Sequence, residues 1–305
     1  MTFSERRRRL RAVLQGDACV YPASVFDPIS ARMAAALEFE TAILAGSVAS
    51  LTVLGDPDLT LITLSELAEQ ARRICRASSI PLIVDADHGY GNALNVRRTV
   101  QELETAGVAA LTIEDTVLPR RFGANDVPEG VSVDEAVGKL SAALDARVDD
   151  QLVIAARTTV AIKGGVDACV ERVEAYAKTG VDAIFIAGVR TSSELEAIAG
   201  CCSLPLMLGV AKEEVNRPEV LERCGVRICL RTQSPFDAAV DAVYAVLQSQ
   251  RGSAAAVPLP RPAEAFTRRE EFNALRERFL GAKAGDFGGG SRGSDEPVVS
   301  FPFGG

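Results

Sequence analysis

The chain has 305 residues, of which 48% are hydrophobic, and its formal net charge is -8 at pH 7. This length and composition suffice for a large folded core, and the negative charge argues against nucleic acid or an anionic membrane as the main partner. No apolar run of about 18 residues is present, so we expect no transmembrane helix. The basic cluster at residues 6–9 lacks a following apolar segment, which indicates a first amphipathic helix rather than a signal, and we expect a cytoplasmic protein.

Seven cysteines form an odd number and show no C-x-x-C spacing. Most of them have apolar neighbours, which favours free thiols in a reducing compartment over disulfides or a zinc site.

Short apolar runs alternate with helical patterns along the first 250 residues. Continuous Val, Ile and Leu runs are typical of strands that are buried on both faces of a parallel sheet. Two doubly wound domains would also use eight strands, but no linker divides the chain before residue 250, so we predict an α/β fold with one (β/α)8 TIM barrel. The predicted strands are 18–23, 41–45, 81–85, 109–114, 152–157, 183–187, 205–209 and 227–231, and the helical patterns include 64–77, 95–106 and 167–179.

The chain changes character after residue 250. Residues 254–262 are rich in Ala and Pro and predict an extended linker, residues 267–280 predict an amphipathic helix, and residues 287–305 are Gly-rich and expected to be flexible. A helix that is tethered in this way is suited to packing on another subunit. We therefore divide the chain into a barrel catalytic domain, a linker with a C-terminal helix, and a flexible tail. These three parts span residues 1–250, 251–286 and 287–305.

Carboxylates follow two neighbouring strands of the predicted barrel. Asp85 and Asp87 come directly after an apolar run and precede the only histidine, His88, and two glycines that allow a sharp turn. The next strand ends in Glu114 and Asp115. Any one of these acids would equally well cap a helix or pair with a basic side chain. Because the C-terminal ends of barrel strands meet at one mouth, the four acids together predict a site for Mg2+ or Mn2+.

Other predicted strand ends add polar groups to the same mouth. Arg157 offers a planar fork that suits a substrate carboxylate, with a structural salt bridge to a nearby acid as the alternative. Ser47 follows a strand and a glycine, where its hydroxyl and free backbone N–H groups would hold an anionic oxygen. His88 is a candidate proton donor, but its place directly after Asp87 favours a role in supporting the metal ligands.

Three segments together resemble a known superfamily. Residues 85–91 (DADHGYG), 112–115 (TIED) and 156–158 (ART) are similar to the signature of the isocitrate lyase and phosphoenolpyruvate mutase superfamily, and the resemblance covers about residues 10–250. Its members bind Mg2+ and a 2-oxo or 2-hydroxy carboxylate at the mouth of a (β/α)8 barrel. They commonly form tetramers by exchanging a helix between paired subunits. The resemblance therefore implies Mg2+, a small 2-oxo carboxylate substrate and a homo-oligomer, a dimer of helix-swapped dimers.

Within the superfamily, residues 46–50, 61–66 and 87–96 look most similar to the oxaloacetate decarboxylase branch. This implies Mg2+-dependent decarboxylation of oxaloacetate, or a related 2-oxo acid, to pyruvate and CO2 through an enolate that the metal stabilises. Three alternatives stay open: a carbon–carbon lyase acting on a 2-hydroxy acid in the manner of a methylisocitrate lyase, a phosphonopyruvate-type enzyme, and a barrel that binds carboxylates without turnover.

Position by position, the resemblance also implies roles for single residues. Asp85 would be the direct Mg2+ ligand, and three further acids would act partly through metal-bound water. Ser47 and Arg157 would hold the substrate carboxylate. The three further acids are Asp58, Asp87 and Glu114.

Two segments depart from the superfamily pattern. The lyases and mutases place a Lys-x-Cys-Gly-His type segment after the fourth strand, whereas residues 118–125 contain neither cysteine nor lysine, which argues against isocitrate-type cleavage. Members of the decarboxylase branch carry a substrate-facing histidine after the eighth strand. Gln233 takes that place here, and it donates a hydrogen bond but carries no proton charge, so we expect it to affect substrate choice or rate. The loop 117–131 is expected to close over the site and exclude water.

Overall fold

A computed structural model describes residues 1–124, 128–159, 164–251 and 265–281. Eight parallel strands form one sheet in sequence order, and a parallel bridge between Val20 and Ile228 joins the last strand to the segment before the first. The sheet therefore closes into the predicted (β/α)8 barrel. The strands are β1 (Ala23–Ser24), β2 (Ala42–Leu44), β3 (Leu82–Asp85), β4 (Ala110–Glu114), β5 (Val153–Thr158), β6 (Ala183–Ile186), β7 (Leu206–Leu208) and β8 (Val226–Cys229).

Helices alternate with the strands and cover the outside of the barrel. The helix predicted at 64–77 has the predicted bounds, and the helices predicted at 95–106 and 167–179 each begin two residues earlier. The described helices are α1 (Phe3–Gln15), α2 (Pro28–Ala36), α3 (Gly46–Val53), α4 (Leu64–Ala77), α5 (Ala93–Ala106), α6 (Val133–Ala146), α7 (Gly165–Ala177), α8 (Ser192–Ala199), α9 (Pro218–Arg223), α10 (Ser234–Arg251) and α11 (Arg269–Leu280).

The first strand differs from its prediction. The sequence predicted residues 18–23, but β1 is confined to Ala23–Ser24, and Val20 pairs separately with β8 through bonds of 2.9 Å and 3.0 Å. Pro22 lies between the two pairings and has no backbone N–H to donate, so it interrupts the hydrogen-bond ladder.

Helix α1 lies across the N-terminal end of the barrel. Its Leu10 and Leu14 pack against inward-facing strand residues such as Ile83 and Phe185. Arg11 donates to the backbone carbonyls of residues 150–152, which precede β5. Helix α1 is therefore part of the barrel's closed end.

The segment after the barrel returns to the mouth. The helix predicted at 267–280 is present as α11, and the Gly123 N–H donates to the Leu280 carbonyl at 2.7 Å. Arg268, which precedes α11, forms a 2.6 Å salt bridge with Asp56. The predicted linker at 254–262 and the Gly-rich tail lie outside the described residues, and helix exchange between subunits stays a prediction.

All seven cysteines are free thiols, as expected. Within the described ranges, no helix has both the length and the apolar character needed to cross a membrane.

Candidate active site

The C-terminal ends of β3, β4 and β5 bring two carboxylates and one guanidinium together. Sheet register places Asp85 beside Thr112 and Glu114 beside Arg157. The Arg157 guanidinium lies between the acids, with Nη1 2.5 Å from Asp85 Oδ2 and Nε 3.0 Å from Glu114 Oε2. The salt bridge considered as the alternative for Arg157 is therefore present, and its contact with a substrate carboxylate stays a prediction.

The Arg157 guanidinium keeps its positive charge in this position. Burial alone would lower the pKa of the guanidinium, but the carboxylates of Asp85 and Glu114 raise it above its ordinary value. The guanidinium also stacks over the Phe185 ring, 5.1 Å from its centroid. Arg157 is thus a fixed cation at the mouth of the barrel.

Three threonine hydroxyls orient the carboxylates, and sequence reasoning missed them. Thr112 Oγ1 donates to Asp85 Oδ1 at 3.1 Å. Thr159 Oγ1 donates to Glu114 Oε1 at 3.0 Å, and Thr116 donates to the same oxygen. The available signal was position, since Thr112 and Thr116 alternate with Glu114 and Thr159 alternates with Arg157.

A tight turn follows β3 and places Asp87. Asp87 and Tyr90 adopt positive φ angles of 46° and 62°, a backbone region that costs free energy in residues other than glycine. Gly89 has φ 75°, and a Cβ there would lie 2.5 Å from the Val96 side chain, so the position requires glycine. A Cβ on Gly46 would lie 3.1 Å from Asp87 Oδ1, which shows how closely the loop after β2 approaches this acid.

Four carboxylates share this mouth with the Arg157 guanidinium. Burial raises the pKa of Asp87 well above its ordinary value, and the charges of Asp85 and Asp58 raise it further. Asp58 is an exposed residue, but desolvation of its carboxyl group and the charge of Asp85 raise its pKa to about 6. Burial is the larger cause at both Asp58 and Asp87, and the neighbouring carboxylates add to it, so four acids around one arginine leave a surplus of oxygen donors and negative charge.

This surplus of oxygen donors and negative charge fits a hard divalent cation such as Mg2+. The acids do not form a preformed cage, because among the described residues no three His, Cys, Asp or Glu side chains converge as metal ligands would. Mg2+ keeps several of its waters and typically uses only one or two carboxylates directly. The donor set is therefore compatible with the predicted arrangement of one direct ligand, Asp85, and three partners that act through water.

Ser47 and Gln233 meet on the other side of the mouth, and their contact with a substrate stays a prediction. Gln233 Nε2 donates a hydrogen bond to Ser47 Oγ. Ser47 lies in the first turn of α3, whose N-cap residue, Ala45, makes no side-chain hydrogen bond to the helix. Uncapped N–H groups at a helix N-terminus favour an anionic oxygen.

His88 is buried beneath the turn and is only 6% exposed. Its Nδ1 has no hydrogen-bond partner within the described part of the chain. Desolvation, aided by the charge of Lys139, lowers the pKa of His88 to about 4. The ring is therefore neutral at pH 7, which suits a supporting role better than proton donation.

Asp115 does not join the acid cluster that the sequence predicted. Its carboxylate accepts from Arg172 Nη1 at 3.0 Å and from the Tyr176 hydroxyl at 2.7 Å, both on α7. Successive residues at a strand end point to opposite faces of the sheet, so Asp115 faces the helices when Glu114 faces the mouth.

Backbone hydrogen bonds join the two ends of the loop after β4 to each other. The Val117 N–H donates to the Glu129 carbonyl at 2.7 Å, and the Val131 N–H donates to the Asp115 carbonyl at 2.8 Å. Residues 125–127 lie outside the described residues, and closure of this loop stays a prediction.

Comparison with known proteins agrees with the geometry. A sequence profile of the phosphoenolpyruvate phosphomutase family matches residues 10–250. The chain belongs to this family. An oxaloacetate decarboxylase of Bradyrhizobium diazoefficiens is 54% identical over 254 residues, which cover 83% of this chain and 88% of that protein. The chain is thus a carbon–carbon lyase of the phosphoenolpyruvate phosphomutase family.

Solved structures of the family share the barrel. An oxaloacetate acetylhydrolase in complex with 3,3-difluorooxalacetate superposes with a TM-score of 0.73 at 26% identity, covering 93% of this chain and 99% of that one. A phosphonopyruvate hydrolase in complex with oxalate and Mg2+ superposes with a TM-score of 0.71 at 30% identity, covering 92% of this chain and 100% of that one.

Proposed function

We propose that this chain decarboxylates oxaloacetate to pyruvate and CO2 with the help of Mg2+, or of Mn2+ in its place. The observation that carries the proposal is the arrangement of Asp85, Glu114 and Arg157 opposite the Ser47–Gln233 pair at one mouth. The identity to a curated oxaloacetate decarboxylase supports the choice of substrate.

A divalent cation bound here would act as a Lewis acid toward the 2-oxo carboxylate. Asp85 would hold it directly, while the threonine hydroxyls on Asp85 and Glu114 keep those carboxylates turned toward the mouth. The remaining acids, Asp58 and Asp87, would complete the shell through water.

The chain's other residues would bind and orient the substrate. Ser47 and the first N–H groups of α3 would hold one carboxylate, and Arg157 would supply positive charge on the opposite side. Gln233 would donate one amide N–H to the substrate while the other keeps its bond to Ser47. Decarboxylation needs no protein nucleophile, and residues 118–125 contain no cysteine.

Gln233 also favours a second candidate, a lyase acting on a larger 2-hydroxy acid. A 2,3-dimethylmalate lyase shares the barrel at 25% identity and a TM-score of 0.72. Its substrate class therefore belongs in the same assay.

We further propose that the enzyme is a cytoplasmic homo-oligomer, built as a dimer of helix-swapped dimers. Helix α10 has no buried residue, and its Val243, Val246 and Leu247 are exposed by 59%, 47% and 57%. An apolar helix face of this kind is suited to burial against another subunit.

The test of the activity is release of pyruvate from oxaloacetate, measured above the spontaneous rate in the same metal-containing buffer. We expect turnover with Mg2+, none after addition of EDTA, and none in Asp85→Ala. Asp145→Ala, which removes an exposed acid of α6 that pairs with Arg97, is the matched control and retains turnover. Binding of Mg2+ and oxalate without turnover above background would reject the decarboxylase, and larger 2-hydroxy acids would then be assayed.

A further inference from the structure

A lysine lies buried behind the acid-bearing end of β4. Lys139, on α6, is only 2% exposed. It lines a cavity of about 10 Å³ between the outer face of the barrel and the surrounding helices. Glu114, Asp115 and Arg157 line the same cavity, so Lys139 lies next to the end of β4 that carries Glu114.

The ammonium group has no protein partner in the part of the chain that the structure describes. Lys139 forms no salt bridge or hydrogen bond there. Asp115 Oδ1, on the same cavity, is also buried without a partner. A cavity of this size holds one water, which would bridge two such groups. Burial lowers the pKa of Lys139, whereas the carboxylates of Glu135, Asp115 and Glu114 favour its charged form.

Arg172 already neutralises Asp115 through the 3.0 Å salt bridge. Asp115 therefore already has one cationic partner before the charge of Lys139 is counted. The other buried carboxylate on this cavity is Glu114, which Arg157 contacts from the mouth. Glu114 is thus subject to two positive charges: Arg157 contacts it directly, and Lys139, on which Glu135 and Asp115 act more strongly, adds a weaker effect from the outer side of β4.

We propose that Lys139 is a positioning residue that supplies the second positive charge of the active site, acting through Glu114 from outside the barrel. This role rests on the proposed function for the identity of the two ligands, a divalent cation and a carboxylate. A fixed positive charge weakens the binding of a cation and strengthens the binding of an anion. Lys139 therefore sets the balance between the affinities for metal and for substrate.

The experiment measures two affinities of the full-length chain. Binding of Mn2+ is followed by the electron paramagnetic resonance signal of the free ion, and binding of oxalate is measured by calorimetry at saturating Mn2+. In Lys139→Met we expect Mn2+ to bind about three- to tenfold more tightly and oxalate to bind more weakly by a similar factor. Lys139→Arg keeps the charge and restores both affinities toward wild type.

Two further variants complete the test. Lys178→Met removes an exposed lysine at the C-terminal end of α7, and it controls for the change in net charge. Lys139→Gln replaces the lysine with a neutral polar side chain if the methionine variant does not fold, and the same opposite shifts are expected. A structural role alone would move both affinities in the same direction, and that result, or unchanged affinities in a folded variant, would overturn the proposal.

The two proposals fail in different measurements. If wild type turns over oxaloacetate but Lys139→Met shows unchanged Mn2+ and oxalate binding, only the role of Lys139 is wrong. If wild type binds Mn2+ and oxalate without turnover, and the variant shows the opposite shifts, the decarboxylase assignment is wrong and the role of Lys139 stands.

Discussion

Arg157 Nη1 donates a hydrogen bond to Asp85 Oδ2 at 2.5 Å, so the guanidinium at the end of β5 forms an ion pair with the carboxylate at the end of β3. Its Nε contacts Glu114 as well, at 3.0 Å. The second contact is an ion pair without hydrogen-bond geometry, and a guanidinium reaches both acids because its charge is spread over a broad planar group, whereas an ammonium is a single point charge. We therefore expect the activity to depend on the planar shape of the Arg157 guanidinium as well as on its charge.

Arg157→Lys tests that dependence. We expect kcat/KM to fall at least about 100-fold, equivalent to about 2.7 kcal/mol, because lysine contacts only one of the two acids. Arg147→Lys is the matched control, since Arg147 pairs with Asp182 at 2.7 Å at the N-terminal end of the barrel. Steady-state kinetics of both variants check the prediction, and a kcat/KM in Arg157→Lys close to that of Arg147→Lys would contradict it.

The hydrogen bond between Gln233 and Ser47 predicts that their contributions are coupled. We expect Gln233→Ala and Ser47→Ala each to lower kcat/KM, and the double variant to lose less than the product of the two effects. The expected coupling is about 1 kcal/mol, or about fivefold, because one partner alone cannot make the shared bond. A double-mutant cycle measures it, and independent multiplicative effects would show that the two side chains do not act together.

Much of the fold could be predicted from the sequence because the patterns that indicate strands and helices lie within short segments of the chain. Apolar runs marked each of the eight strands, and the acids after β3 and β4 marked the mouth. The predicted bounds of the first strand were wrong because Pro22 has no backbone N–H to donate to the hydrogen-bond ladder of the sheet.

The parts that escaped prediction depend on tertiary contacts. Asp115 follows Glu114 in sequence, but the pleat turns it toward Arg172 on a helix that begins about 50 residues later. The threonines alternate with charged residues, but this spacing alone does not show which acid each hydroxyl contacts, and the buried Lys139 has no distinctive spacing at all. Their roles become visible only when neighbouring strands and helices are placed side by side.

The position of Gly89 predicts that adding one methyl group there lowers the free energy of unfolding strongly. In Gly89→Ala the new Cβ would lie 2.5 Å from the Val96 side chain in addition to adopting φ 75°. Gly55 is the matched control, because its φ is 73° and a Cβ added there would have no neighbour within 4 Å. We expect Gly55→Ala to cost about 1 kcal/mol of unfolding free energy and Gly89→Ala about 2–4 kcal/mol. Urea unfolding measures both values, and equal costs would show that the turn relaxes without strain.

The closed end of the barrel predicts how stability depends on pH. Asp149 accepts from Ser4 Oγ at 2.6 Å and from Arg7 Nη1 at 2.6 Å. Burial alone would raise its pKa, but these hydrogen bonds outweigh burial and lower it to about 2, below the ordinary value of 3.8. A lowered carboxyl pKa stabilises the fold above the ordinary pKa, and this contribution disappears as the pH falls toward 2.

Asp149→Asn should therefore cost stability at neutral pH and little in acid. Because Asp149 lies near the surface, where solvent screens the charge, we expect a loss of about 1 kcal/mol in unfolding free energy at pH 7. The difference from wild type should shrink as the pH falls below about 4, since protonated aspartate resembles asparagine in charge. Urea unfolding from pH 7 to pH 3 measures this, with Asp145→Asn as an exposed control expected to change stability by less than about 0.5 kcal/mol. A difference that stays constant across this range would show that the Asp149 charge does not stabilise the closed end.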